Sequence, residues 1–385
     1  MHYFDWTATT PMSKTAIDTY SETALKYPGN PSSTHPMGLD AKNRLEEERK
    51  HIANLLGTDS NNIYFTSGGT ESDAIVLSSF INSPSKGEII VSGIEHSAIL
   101  EFKRLYESQG WKFTVLKCPN GYLNPNTFKE ALNEKVRMVC FMKVNNVTGT
   151  ILDTKQLVSE VRNYSKQIGR NIHIHCDAVQ ALGKININLK EEDFDSAAFS
   201  AHKFCGPRGI GILYCKNKAI TALSRGGGQE KGLRPGTENL AAICAMGSAL
   251  QEALDNIDTE YEKISLFRNM VEQAALNNGY KMLSPSSTSG LSYSPYIINI
   301  SAKPIPSEVF LRIMADKGFY LSAGSACSSN SRGKAESVLN AMNIESSDRM
   351  SSIRISFGKL NTIQEVTELC EALAQVRQEL SYGKK

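Results

Sequence analysis

The chain has 385 residues, 41% of them hydrophobic and 21% charged, with a formal net charge of +2. This is a globular composition, long enough for one large domain and a smaller one. Near-balanced charge leaves no electrostatic footprint for nucleic acid or a membrane surface, and no apolar run reaches the roughly 18 residues of a membrane span. The opening MHYFDWTATTPM lacks a basic stretch followed by an apolar one, so no secretory signal is expected. Cys118, Cys140, Cys176, Cys205, Cys215, Cys244, Cys327 and Cys370 are scattered, with no C-x-x-C pair. That spacing argues against a zinc knuckle or disulfide framework, and for free thiols in a reducing cytoplasm.

From about residue 45, helix and strand signals alternate. RLEEERKHIANLLG has helical spacing and ends on Gly57, a C-cap candidate. NIYFTSGGTESDAIVLSSFI reads as strand, glycine turn and helix. GEIIVSG, KFTVLKC, RMVCFMKV, NIHIHCDA and SAAFSA are strand-like, with helical stretches such as TKQLVSEVRNYSKQIG between several of them. The alternation predicts an α/β fold with a mostly parallel sheet. A long helical region follows, from NLAAICAMG to EQAALNNG. Beyond it SYSPYIINIS, KGFYLSAGS and SIRISFG read as strands of a smaller α+β domain. LSPSSTSGLSYSP is the nearest thing to a loop-rich joint.

Three stretches carry candidate chemistry. TSGGTES, residues 66–72, follows a strand and opens a helix, where backbone N–H groups and the helix dipole suit a phosphate. The same residues also serve as a simple helix cap, and they match neither the P-loop nor G-x-G-x-x-G. In HIHCDAVQALGK, Asp177 ends an otherwise apolar strand; it is either a cap for the next turn or a carboxylate held against a protonated ring nitrogen. FSAHKFCGPRGIG places Lys203 between small residues and a glycine-rich turn, either on the surface or in a site. Asp177 and Lys203 lie one helix and one strand apart, so in a parallel sheet they open on the same edge. A carboxylate and a lysine so placed suit opposite ends of pyridoxal phosphate, the lysine forming an imine and the carboxylate keeping the ring nitrogen charged.

The segments YFDWTATTP, GNPSSTHPMG, TSGGTES, EHSAI, VNNVTGT, HCDAVQALGK, SAHKFCGPRGIGILY, GGGQEKGLRPGTENL, SAGSACSS and IRISFG occur in the order seen in NifS/IscS-type cysteine desulfurases. These are fold-type-I pyridoxal-phosphate enzymes of the class V aminotransferase group, and the chain resembles them from near residue 3 to about 360. The resemblance implies a large domain at 15–255 with a mostly parallel mixed sheet. It also implies a small α+β domain from 1–14 and 256–385 carrying a mobile cysteine loop at about 322–337. It implies that Lys203 carries pyridoxal 5'-phosphate, that Asp177 pairs with the ring nitrogen and that Gln180 bonds the phenolic oxygen. His96 is expected on the ring face, moving protons. Gly69, Thr70, Ser200 and His202 are expected on the phosphate, with Thr237 reaching it from the partner subunit of a homodimer. Asn146, or Asn145 if the register slips by one, and Arg354 are expected to hold L-cysteine, and Cys327 to carry the persulfide. Cys205 is the rival nucleophile by proximity and is read as structural. The implied partners are the substrate and a sulfur-acceptor protein, an iron–sulfur scaffold or a thiolation protein, with no nucleic acid and no membrane.

Several positions depart from the family pattern. Trp6 stands near the expected cofactor pocket where a small polar residue is usual. Val147 and Thr148 replace the usual Glu and Ile, and KAESVLNAM lacks the histidine often found after the cysteine loop. The terminal LSYGKK is short beside the scaffold-binding tails of the housekeeping iron–sulfur branch. Selenocysteine lyase and another class V activity such as transamination are the alternative enzymes, and a non-catalytic pyridoxal-phosphate-binding regulator is the alternative outside catalysis.

Overall fold

Short runs of β-branched and aromatic residues alternate along the chain with amphipathic helices, and these runs assemble into one central sheet. The computed structural model describes residues 1–323 and 336–382. After a short N-terminal strand, β1 (His2–Tyr3), come β2 (Ile63–Thr66), β3 (Glu88–Ser92), β4 (Lys112–Leu116), β5 (Val136–Met142), β6 (His173–Asp177), β7 (Ser196–Ser200) and β8 (Gly211–Cys215). Among the described residues β2 to β8 form a seven-stranded sheet in the order β2-β8-β7-β6-β5-β3-β4. The pairs from β4 across to β7 are parallel, whereas β8 runs antiparallel to both β7 and β2.

Side-chain alternation divides this sheet into two buried faces. Phe65, Val139, Phe141, Ile174, Cys176, Phe199 and Ile212 face one apolar cluster, and Tyr64, Ile89, Val91, Met138, Cys140 and Leu213 face another. A fully buried Ile, Val or Leu contributes about 1.5–3 kcal/mol relative to exposure. A one-residue slip would turn every such side chain to the opposite face, so the pattern holds the register. The helix Gly69–Ile81 packs against β7 and β8.

Toward the C-terminus a second sheet is built from β9 (Lys281–Met282), β10 (Ile297–Ser301), β12 (Ser322–Ala323) and β13 (Ser352–Ser356), in the order β12-β13-β10-β9. The remaining strand, β11 (Phe319–Tyr320), pairs in parallel with β1. A separate apolar cluster joins Phe4 to Phe267, Ile298, Phe310, Ile355, Phe357 and Leu373. The chain's first residues are therefore packed among its last. The long helical region resolves into two helices, Leu240–Asp255 and Ile257–Asn277, separated at Asn256. LSPSSTSGLSYSP connects β9 and β10 of one sheet, so it is a loop inside that sheet rather than a joint between domains.

Trp6 lies beside the main cavity, lining a side cavity that Lys203 also borders. Its indole N–H donates to the Tyr3 carbonyl at 2.9 Å, and its ring lies against Gly358. It lines the side cavity, of about 250 Å³, together with Phe204, Cys205, Tyr296 and Phe357. A Cβ on Gly358 would fall inside the ring. Gly358→Ala is therefore expected to destabilise the protein by about 1–3 kcal/mol. Urea denaturation checks this, and an unchanged midpoint would contradict the packing described.

Candidate active site

The carboxyl ends of β2, β3, β5, β6 and β7 open on one edge of the sheet, where open α/β sheets hold their ligands. A cavity of about 510 Å³ lies there, closed on its other side by Thr7–Thr9 and by Arg354 of β13. Ten of the residues expected from sequence line it: Gly69, Thr70, His96, Asn146, Asp177, Gln180, Ser200, His202, Lys203 and Arg354. Thr237, expected to act across a subunit interface, is exposed and does not line the cavity of its own chain. Cys327 and most of its loop lie outside the described residues.

Lys203 ends a single 3-10 turn, Ala201–Lys203, that follows β7 directly. Its ammonium donates to the carbonyls of Thr7 at 2.6 Å and Ala8 at 2.8 Å, which hold it at the cavity wall. Asp177 closes β6, is 5% exposed, and accepts the Val179 N–H at 3.0 Å. The helix Gly69–Ile81 begins so close to this turn that a Cβ on Gly69 would sit 2.5 Å from Val179 Cγ2. Glycine is thus what lets the helix N-terminus approach the cavity floor. Gln180 donates to the Thr7 carbonyl at 3.1 Å and accepts from Lys184 at 2.8 Å. One of its two amide hydrogens remains for a ligand. Burial pushes Lys184 down to about 7, helped by the Lys203 charge.

His96 caps the short helix Ser97–Leu100, its Nδ1 accepting the Ala98 N–H at 3.1 Å. Burial lowers its pKa against the opposing pull of Asp177, which favours the neutral imidazole. His202 is pushed down to about 4 by burial and by the Lys203, Lys184 and Arg208 charges, and its Nδ1 lies 3.1 Å from Thr9 Oγ1. At this end of the cavity the helix dipole, Arg208 and Lys203 make the field positive.

The Asn145–Asn146 ambiguity resolves by burial. Asn145 is fully buried; its Oδ1 accepts from Val147 N, Thr148 N and Thr148 Oγ1, and its amide donates to the Ile94 carbonyl. It braces the turn that contains Val147 and Thr148, and neither of those departures lines the cavity. Asn146 does line it, and its Oδ1 is buried with no hydrogen-bond partner among the described residues. On the cavity wall, that buried acceptor is available to a ligand.

Arg354 is 2% exposed. It donates to Asp5 Oδ1 at 2.9 Å, Ser322 Oγ at 3.3 Å and the Asn146 carbonyl at 3.1 Å, and its Nε has no partner among the described residues. Asp5 was not singled out from sequence, because its contact spans nearly the whole chain; the adjoining FDW offers only a weak signal. Three other acids at or near the cavity were also missed, among them Glu71, which lines it and accepts from Arg234 Nε. Asp73 lines it, and Glu95 is buried next to His96, accepting from Ser92 Oγ and the Met142 N–H. Cys205 lines the side cavity instead, where burial raises its thiol pKa and so disfavours the thiolate.

A lysine and a carboxylate at the carboxyl edge of a mixed α/β sheet, with a helix N-terminus between them, define a class of group-transfer enzyme. The chain belongs to the class V aminotransferase family, whose model matches residues 2–369. It is 39% identical to a NifS/IcsS protein homolog of Lactobacillus delbrueckii subsp. bulgaricus, over 99% of this chain and 98% of that protein. It is 34% identical to the cysteine desulfurase IscS of Methanosarcina thermophila, over 98% and 92% of the two chains. A solved NifS-like protein superposes with a TM-score of 0.89 at 30% identity, covering 99% of both chains. The resemblance seen in the sequence is borne out, and with it the fold-type-I architecture. The family depends on pyridoxal 5'-phosphate. The donor set fits that group, with an open helix N-terminus for its phosphate and Asp177 for its ring nitrogen. The unpartnered Asn146 Oδ1 lies in the same cavity.

Proposed function

We propose that this protein is a pyridoxal-phosphate-dependent cysteine desulfurase, converting L-cysteine to L-alanine and passing the sulfur on as a persulfide on Cys327. The observation that carries the reading is the gathering of Lys203, Asp177 and His96 in one cavity with Asn146 and Arg354. The kinship with cysteine desulfurases along nearly the whole chain supports it.

When bound, the cofactor supplies an electron sink for charge developing at the substrate α-carbon. Lys203 would hold it covalently, Asp177 would keep the ring nitrogen protonated, and Gln180 would donate to the phenolic oxygen. Gly69, Thr70, Ser200 and His202 hold the phosphate, joined by Thr237 of a second copy. Arg354 grips the substrate carboxylate, and Asn146 orients the substrate beside it. The Lys203 amine, when free, would take the α-proton, and neutral His96 in the same cavity would accept and return protons. The Cys327 thiolate attacks the substrate sulfur. A sulfur–sulfur bond forms as the carbon–sulfur bond breaks, and the electron pair stays with the carbon, which is protonated to give alanine.

The same reading makes the chain a cytoplasmic homodimer that hands sulfur to an iron–sulfur scaffold or a thiolation protein. Exposed Ile17, Leu25, Met37 and Leu39 offer apolar surface for a second copy. No helix among the described residues is long and apolar enough to cross a membrane. The division into 15–255 and 1–14 with 256–385 is part of this reading, supported by the separate cluster around Phe4. With L-cysteine and a reductant the protein is expected to release alanine and sulfide in equal amounts. Pyruvate in place of alanine would mean elimination and would overturn the reading.

A further inference from the structure

A second lysine is buried behind the active site, and the proposed reaction does not use it. Asp177 ends β6, and a tight turn carries the chain on through Gln180 to Lys184. Along it the Ala181 and Leu182 N–H groups donate to the Ala178 carbonyl, and those of Lys184 and Ile185 donate to the Ala181 carbonyl. Gln180 and Lys184 are thus set at the spacing that brings side chains together on a helical turn. Gly183 has a φ of +73°, and a Cβ there would sit 2.8 Å from Phe204 Cβ. Glycine lets this turn close against the residue that follows Lys203. Lys184 is 6% exposed, and its Nζ donates to Gln180 Oε1 at 2.8 Å.

The two residues line different cavities. Gln180 lines the main one, whereas Lys184 lines the side cavity with Lys203, Cys205, Glu252, Glu260, Tyr296 and Lys359. Lys184 therefore touches the site through Gln180 rather than directly. A glutamine amide can be turned over, exchanging its oxygen and nitrogen. Here two neighbours fix it. The Thr7 carbonyl can only accept, and it takes the Gln180 Nε2–H at 3.1 Å, while Lys184 donates to the oxygen. Burial and the Lys203 and Arg354 charges lower the Lys184 pKa. An amine donates whether charged or neutral, so the amide is held the same way in both states. Without Lys184, Oε1 would lose its donor in a buried place, and the amide would gain by turning elsewhere.

We propose that Lys184 is a positioning residue that fixes the Gln180 amide, so that its remaining N–H is presented to the cofactor's phenolic oxygen. This rests on the reading of Gln180 as the donor to that oxygen.

The test uses holoenzyme and two readouts: the pH midpoint of the bound cofactor's visible absorbance, and the rate of cofactor release on dialysis. A donor to the phenolic oxygen stabilises its anion and so eases loss of the cofactor's titrating proton. Gln180→Ala is therefore expected to raise the midpoint by about one unit, the order of one hydrogen bond to a charged group. Lys184→Met keeps an apolar stem without a donor, and is expected to raise the midpoint by about half a unit or more and to speed release about threefold. In a Gln180→Ala background it should lose most of that effect, because no amide is left to hold. Wild-type readouts in folded Lys184→Met would overturn the proposal. So would a shift undiminished in the Gln180→Ala background, since Lys184 would then act through its charge on Lys203. If Lys184→Met does not fold, Lys184→Arg decides. Its guanidinium still donates to Oε1 and should keep both readouts near wild type, and a shift as large as that of Gln180→Ala overturns the proposal. If Gln180→Ala itself keeps wild-type readouts, the reading of Gln180 fails first, and the proposal with it.

Discussion

Lys203→Ala is expected to lower the rate of alanine formation by about 10³-fold and to abolish the visible absorbance of covalently held cofactor. A positioned general base alone contributes roughly 10²–10⁴-fold, and this substitution removes the covalent anchor as well. The fold is expected to survive. The Lys203 ammonium donates to the backbone carbonyls of Thr7 and Ala8, which border the open cavity. Absorbance, dialysis and circular dichroism of the variant check this together. A folded Lys203→Ala protein with wild-type turnover would remove the lysine from the reaction.

The second large effect is expected at Arg354. Arg354→Lys keeps the charge but loses the planar fork that reaches Asp5, Ser322 and the Asn146 carbonyl at once while leaving Nε for a ligand. A hydrogen bond to a charged group is worth about 1.5–3 kcal/mol, so kcat/KM for L-cysteine should fall about 10- to 100-fold. Most of the loss should appear in KM, because carboxylate binding is made equally in ground and transition states. Steady-state kinetics over a range of L-cysteine concentrations decide it. A fall confined to kcat would instead place Arg354 in the chemical step.

The strands that carry the site were legible because each is a short buried run with a clear period. β6 and β7 end where HIHCD and SAAFS end, and the residues that follow them fall at one sheet edge by topology alone. Less legible was what depends on pairing across long sequence distance. The GILYC run of β8 shows no sign that it lies antiparallel between β2 and β7, since strand direction is set by neighbours rather than by composition. Asp5 finds Arg354 only once β1 has paired with β11 and carried the N-terminus across to β13. That Trp6 packs on Gly358 and lines a side cavity next to Lys203 was not legible from its position in the sequence. The polar face of β6 did leave a trace in the alternating HIHCD. The partner of His175, Asp73, is visible only with the helix Gly69–Ile81 laid over that face.

The most direct test of the desulfurase reading is the mass of the holoenzyme after one equivalent of L-cysteine, without reductant, followed by peptide mapping. The account predicts one added sulfur atom on the peptide that carries Cys327, with one alanine released, and no added sulfur in Cys327→Ala. Sulfur found on Cys205 instead, or full alanine and sulfide production by Cys327→Ala, would contradict it.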